Sequence, residues 1–121
     1  MSSSSSRNEG QELYIFARFH ARDGMAEKVA AAMRDMLAPV RAEPGCIAIE
    51  VFRSTRDRNL FFLHSRWVDE AAFDLHATLP HTRHFIESVE ALIDHPLDVT
   101  RVKPLEPRGQ DTVSPPDQRS D

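Results

Sequence analysis

The sequence predicts one α+β domain of order β-α-β-β-α-β, a four-stranded antiparallel sheet with helices on one face. Three observations predict it. Four short stretches are rich in β-branched and aromatic residues, two stretches between them carry apolar residues at helical spacing, and turn signals mark the junctions. At 121 residues the chain has room for one core and not for two.

The elements follow in order. "ELYIFARFH" (12–20) reads as a strand in which Tyr14, Phe16 and Arg18 alternate with Leu13, Ile15, Ala17 and Phe19. Asp23-Gly24 is a turn. Over 25–43, Val29, Met33, Met36, Leu37 and Val40 recur at three- and four-residue steps, the stripe of an amphipathic helix. Pro39 should kink that helix or end it early, and Pro44-Gly45 closes it. "CIAIEVFRS" (46–54) and "LFFLHSRW" (60–67) are the second and third strands, joined by the polar hairpin loop "TRDRN". Asp69 is a good N-cap for a short helix over 70–77. Pro80 interrupts it, and a further helix of about 81–93 carries Phe85, Val89, Leu92 and Ile93 on one side. His95-Pro96 marks the exit into a final strand, "LDVTRVKPL" (97–105). The order is that of the ferredoxin-like, split βαβ plan.

Composition narrows the class. Apolar content of 40% and charged content of 28% are those of a soluble globular protein. A net charge of -4 argues against a nucleic-acid or anionic-membrane partner, which needs a basic face. No apolar run approaches the ~20 residues of a membrane span. "MSSSSSRNEG" lacks the apolar centre of a secretory signal, and the single Cys46 forms no internal disulfide, so a cytoplasmic setting is expected. Cys46 reads as a small buried residue, with no neighbouring base to make it a nucleophile. Residues 1–11 and 106–121 are too polar and too rich in Ser and Pro to offset the entropy of ordering, which leaves 12–105 as the folded unit. The four glycines are scattered and form no phosphate loop, so no flavin or nicotinamide cofactor is expected.

A sheet covered on one face should alternate cleanly between apolar and polar residues. "LYIFA" and "LFFL" are apolar on both faces, and the chain has no element left to cover the second one. A homodimer, sheet against sheet, is the expectation.

"RAEPGC" (41–46), "RW-x-DEAAF" ending at Phe73, His76, Pro80-His81 and the closing "KPL" together resemble the antibiotic biosynthesis monooxygenase superfamily over roughly 12–105. The resemblance implies a dimeric α+β barrel. Its haem-degrading branch places an iron-ligating His about nineteen residues after the strand-three Trp and an Asn in strand one. Here those positions hold Ile86 and Ala17. Its anthrone-oxidising branch has an Asn four residues before that Trp and a Tyr six after it, where this chain has Leu63 and Phe73. The quinol-oxidising and signal-processing branch is nearest, since His76, Pro80 and His81 match its helix-end His and Pro-His junction. Leu79 and Ser65 depart from it, standing where Thr and Glu are frequent.

Candidate site residues are weighed on this basis. "HATLPHTRHF" (76–85) holds three of the six histidines. Three imidazoles are a legitimate metal set, but Pro80 divides them and no acidic or Cys partner stands at a recognisable ligand spacing. No metal is expected, and His84 reads as a solvated helix residue. By resemblance, His76 and His81 line a pocket between sheet and helices, where a residue titrating near neutrality can move protons. Trp67 is a core aromatic or a flat wall for a planar substrate. Phe73 and Phe16 are core or cavity lining. Arg18 needs a partner if it points inward, and Glu50 could supply one; His64 could face pocket or interface. Trp67, Phe73, Phe16, His64 and Arg18 are the candidate substrate contacts. The resulting expectation is a cofactor-independent monooxygenase that oxidises an electron-rich hydroxylated aromatic, of quinol or anthrone type, with O2. The alternatives are an isomerase or tautomerase of a small oxygenated metabolite, and a non-catalytic small-molecule-binding module.

Overall fold

The computed structural model describes residues 11–106. Strand β1 (Leu13–His20) leads through helix α1 (Ala26–Asp35) and the short α2 (Leu37–Arg41) to the hairpin of β2 (Cys46–Arg53) and β3 (Leu60–Trp67). Helices α3 (Glu70–His76) and α4 (Pro80–Glu90) then return the chain to β4 (Asp98–Val102). The sheet order is β2-β3-β1-β4, antiparallel throughout, as the ferredoxin-like plan requires. The tails expected to be disordered lie, apart from residues 11 and 106, outside the described residues.

Alternation on β1 decides what the sheet buries. Leu13, Ile15, Ala17 and Phe19 point to the helices and are buried, as are Phe61, Leu63, Ser65 and Trp67 of β3. Val29, Ala30 and Met33 of α1 and Val89 of α4 close over them. Ile49 of β2 joins this core, whereas Phe16, Phe52 and Phe62 lie on the other face, which no described element covers. There Phe16 and Phe52 are each 49% exposed and Phe62 37%. Phe16, His64 and Glu50 form one row across this open face, and Arg18, Phe62 and Phe52 form the next.

One expectation is met and another corrected. The helix over 25–43 ends early, as Pro39 led one to expect, breaking at Met36, a full turn before the proline, into α1 and α2. Proline lacks the N–H that would bond the carbonyl of Asp35, so the ladder fails at the residues before the ring. Arg18 does not pair with Glu50. It is exposed on the open face, faces Phe62 and Asp98 across its two neighbouring strands, and β3 lies between it and β2.

Candidate active site

The helix-facing side of the sheet encloses a cavity of about 200 Å3. Its floor is Ile15, Ala17 and Phe19 of β1 with Leu63 and Ser65 of β3. Met36 and Val40 form one wall, and Phe73, Phe85 and Ile86 another. Ala17, Leu63, Phe73 and Ile86, the positions that separate the branches of the superfamily, all face this space. Where other branches put polar groups, this chain puts hydrocarbon, so the cavity is apolar except at one end.

That end is built where three segments meet. Asp69 caps α3 by accepting a hydrogen bond from the Ala72 amide at 2.9 Å, and seven residues later the helix ends on His76. Pro80 does not merely interrupt the helix. It opens α4 as its first residue, where a missing N–H costs nothing, and so fixes His81 on the first turn. The break in the preceding helix sends the chain through Glu43-Pro44-Gly45, whose turn is closed by the Cys46 amide donating to the Glu43 carbonyl at 3.1 Å. Gly45 allows this approach: a Cβ there would stand 2.5 Å from the Ala72 methyl of α3.

Glu43 thereby reaches both histidines. His76 donates from Nδ1 to Glu43 Oε2 at 2.8 Å, and His81 donates from Nε2 to the same oxygen at 2.6 Å. A carboxylate accepts only, so both facing nitrogens carry hydrogen, and in the neutral form of each ring the opposite nitrogen, Nε2 of His76 or Nδ1 of His81, holds the lone pair. Thr82 Oγ1 lies 3.2 Å from His76 Nδ1. The Glu43 and His76 side chains are nearly buried, at 10% and 12% exposure, while His81 is 32% exposed. His81 also borders a second, outer groove beside His84, so its ring separates the cavity from the surface.

Trp67 is fully buried and packs behind His76, ring centroids 4.5 Å apart; it is not among the residues lining the cavity. Its indole N–H donates to Ser65 Oγ at 2.9 Å, which fixes its plane. Phe73 does line the cavity and lies 5.4 Å from His76. Arg101 of β4 sits over the Phe73 ring and binds Glu70 and Asp74, tying α3 to the sheet. Those two carboxylates raise the Arg101 pKa. Burial raises that of the Cys46 thiol, with Glu43 adding to the effect, and such a thiol is a poor nucleophile.

The sequence-derived candidates thus divide. His76, His81 and Phe73 meet at the cavity, with Trp67 immediately behind. Phe16, His64 and Arg18 are on the opposite face of the sheet, where Phe16 stacks on His64 at 5.0 Å. They do not reach the cavity, because period-two alternation puts their side chains on the side of the sheet away from the helices. Glu43 and Thr82 were not singled out from sequence. Glu43 is 33 and 38 residues from the histidines it joins, and its only signal was its place in "RAEPGC".

Comparison with known proteins agrees with this architecture. The family model described as "Antibiotic biosynthesis monooxygenase" matches residues 13–88. A Mycobacterium tuberculosis protein named "Putative monooxygenase Rv0793" is 30% identical over 92 residues, covering 76% of this chain and 90% of that protein. The Bacillus subtilis protein "Putative monooxygenase YcnE" is 33% identical over 63 residues, 52% of this chain and 66% of the relative. The solved Rv0793 structure superposes with a TM-score of 0.74 at 28% identity, covering 78% of this chain and 96% of that one. PA3566 from Pseudomonas aeruginosa gives 0.73 at 29%, covering 79% and 96%. With the model matching more than half of its length, the chain belongs to the antibiotic biosynthesis monooxygenase family.

Proposed function

We propose that the chain is a cofactor-independent monooxygenase that oxidises a small hydroxylated aromatic, of quinol or anthrone type, with O2. The observation that carries this reading is one carboxylate holding two imidazoles at the only polar end of an apolar cavity. Such a substrate is itself the reductant. At an anthrone-type carbon, CH2 becomes C=O, one oxygen atom of O2 enters the product and the other leaves as water. The four electrons all come from the substrate.

The protein's work is proton removal and exclusion of water. Glu43 fixes the Nδ1–H tautomer of His76, which leaves Nε2 as the base for the phenolic or acidic C–H proton. The resulting anion passes an electron to O2 inside the dry cavity. Glu43 stabilises the imidazolium so formed, and the more exposed His81, bonded to the same carboxylate oxygen, stands between it and the surface groove. Phe73 faces the substrate ring, and Trp67 keeps His76 in place. Phe16, His64 and Arg18 are assigned instead to the open sheet face, which we propose is the interface of a homodimer.

Oxygen uptake by chelator-treated protein with a panel of naphthoquinols and anthrones tests the reading. Rates above a heat-denatured control that fall by about 10²-fold or more in His76→Ala support it. No uptake across the panel overturns it, and product formed under strict anaerobiosis would indicate an isomerase using the same base.

A further inference from the structure

We infer that Glu43, His76 and His81 also form a site for one divalent transition-metal ion of the zinc and cobalt class. The donor set points to that class: two imidazoles and a carboxylate suit borderline first-row ions, whereas Mg2+ and Ca2+ take oxygen ligands. The geometry is close to what such an ion needs. Glu43 Oε2 stands 2.8 Å from His76 Nδ1 and 2.6 Å from His81 Nε2, and the three atoms lie within 4.8 Å of one another. Bonds of about 2.1 Å to a common centre place neighbouring ligand atoms about 3.0–3.4 Å apart. An opening of about half an ångström between Oε2 and each nitrogen, with the two nitrogens brought to the same spacing from each other, admits the ion.

The surroundings complete the site. The three ligands come from the turn after α2, the end of α3 and the start of α4, so folding assembles them before any ion arrives. His76 is braced by Trp67 at 4.5 Å and Phe73 at 5.4 Å. Three protein ligands leave a further coordination position open, and two of the three line the cavity. The outer groove on His81 is a path for entry.

This inference uses the side chains of the proton-relay reading without depending on its reaction. A bound ion takes the two nitrogens that donate to Glu43, so the metal-bound and proton-relaying forms exclude each other. The second cluster of His and acidic side chains, His20 with Asp57, Asp94 and His95, supplies the control.

The test is titration of the metal-stripped, folded chain with Co2+, followed by visible absorption, and with Zn2+, followed by calorimetry. One ion per chain is expected, with affinity falling more than about tenfold in both Glu43→Gln and His81→Ala. His84→Ala and His95→Ala should bind as the natural chain does. No saturable uptake overturns the inference, as does uptake that Glu43→Gln leaves unchanged or that His95→Ala abolishes. Oxygen uptake by the metal-free protein reads the relay separately, so either proposal can fail while the other stands.

Discussion

Glu43 is the residue on which the site depends, and the one hardest to find in advance. Two imidazoles bonded to one carboxylate oxygen form a compact proton network, and the near-burial of Glu43 and His76 strengthens it. Glu43→Gln keeps the shape but replaces half of the acceptor with an NH2 donor, so one imidazole loses its partner or its tautomer. Turnover should fall by about 10²–10⁴-fold. Circular dichroism should remain that of the folded chain, which separates loss of the base from loss of the fold. His76 and His81 could be proposed from the sequence because they flank a proline in a pattern shared with a family. Glu43 could not, since its role arises only when the helix break turns the chain back towards α3. Phe16, His64 and Arg18 were misplaced for a related reason. Both parities of β1 and β3 are apolar, so alternation identifies two faces but does not say which one meets the helices.

Among the elements, the junction of α3 and α4 carries the chemistry and also has a weak point. Leu79 occupies the N-cap of α4 with extended backbone, φ -74° and ψ 147°, and its side chain offers no cap hydrogen bond. The Thr82 and Arg83 amides donate to the Leu79 carbonyl at 3.1 and 3.0 Å; Leu79→Thr adds a side-chain acceptor for the first turn and should raise stability by about 0.5 kcal/mol. Chemical denaturation reads this directly, and an unchanged midpoint would mean that the lost apolar packing offsets the cap. The strands were readable almost residue by residue, because β-branched and aromatic runs end at strong turn signals. The break of the first helix was readable from Pro39 but its place at Met36 was not, because a proline acts on the carbonyl four residues before it rather than where it stands.

For the whole molecule, two properties lie away from the cavity. At the far end of β1, His20 binds Asp94 at 2.7 Å and Asp57 at 3.2 Å, joining the hairpin loop to the segment after α4. The bond to Asp94, then Asp57, raises the His20 pKa above 6.5, so its stabilisation is complete below that value and is lost as pH rises through the folded value. Asp94 is lowered by His20 and then His95, and Asp57 by the Asn59 amide and then His20. Their stabilisation is present above 3.8 and is lost as pH falls through the folded values. The contributions overlap between these limits. The melting-temperature gap between the natural chain and Asp94→Asn should therefore be widest near about pH 5 and narrow on both sides. The second property is assembly. Phe16, Phe52 and Phe62 form an apolar patch on the open face, and Phe62→Glu should convert a dimer to a monomer in sedimentation equilibrium at micromolar concentration. A natural chain already monomeric there would remove the proposed interface.

The sheet is also a partition one residue thick, with Ile15, Ala17 and Leu63 against the cavity and Phe16, Phe62 and His64 on the other side. If two copies meet across it, their chambers stand back to back behind a double wall about 10 Å through, each with its own door beside His81. In that arrangement neither copy would lend the other a catalytic group. Splitting the pair by dilution should then shorten the protein's lifetime while leaving the rate per chain unchanged.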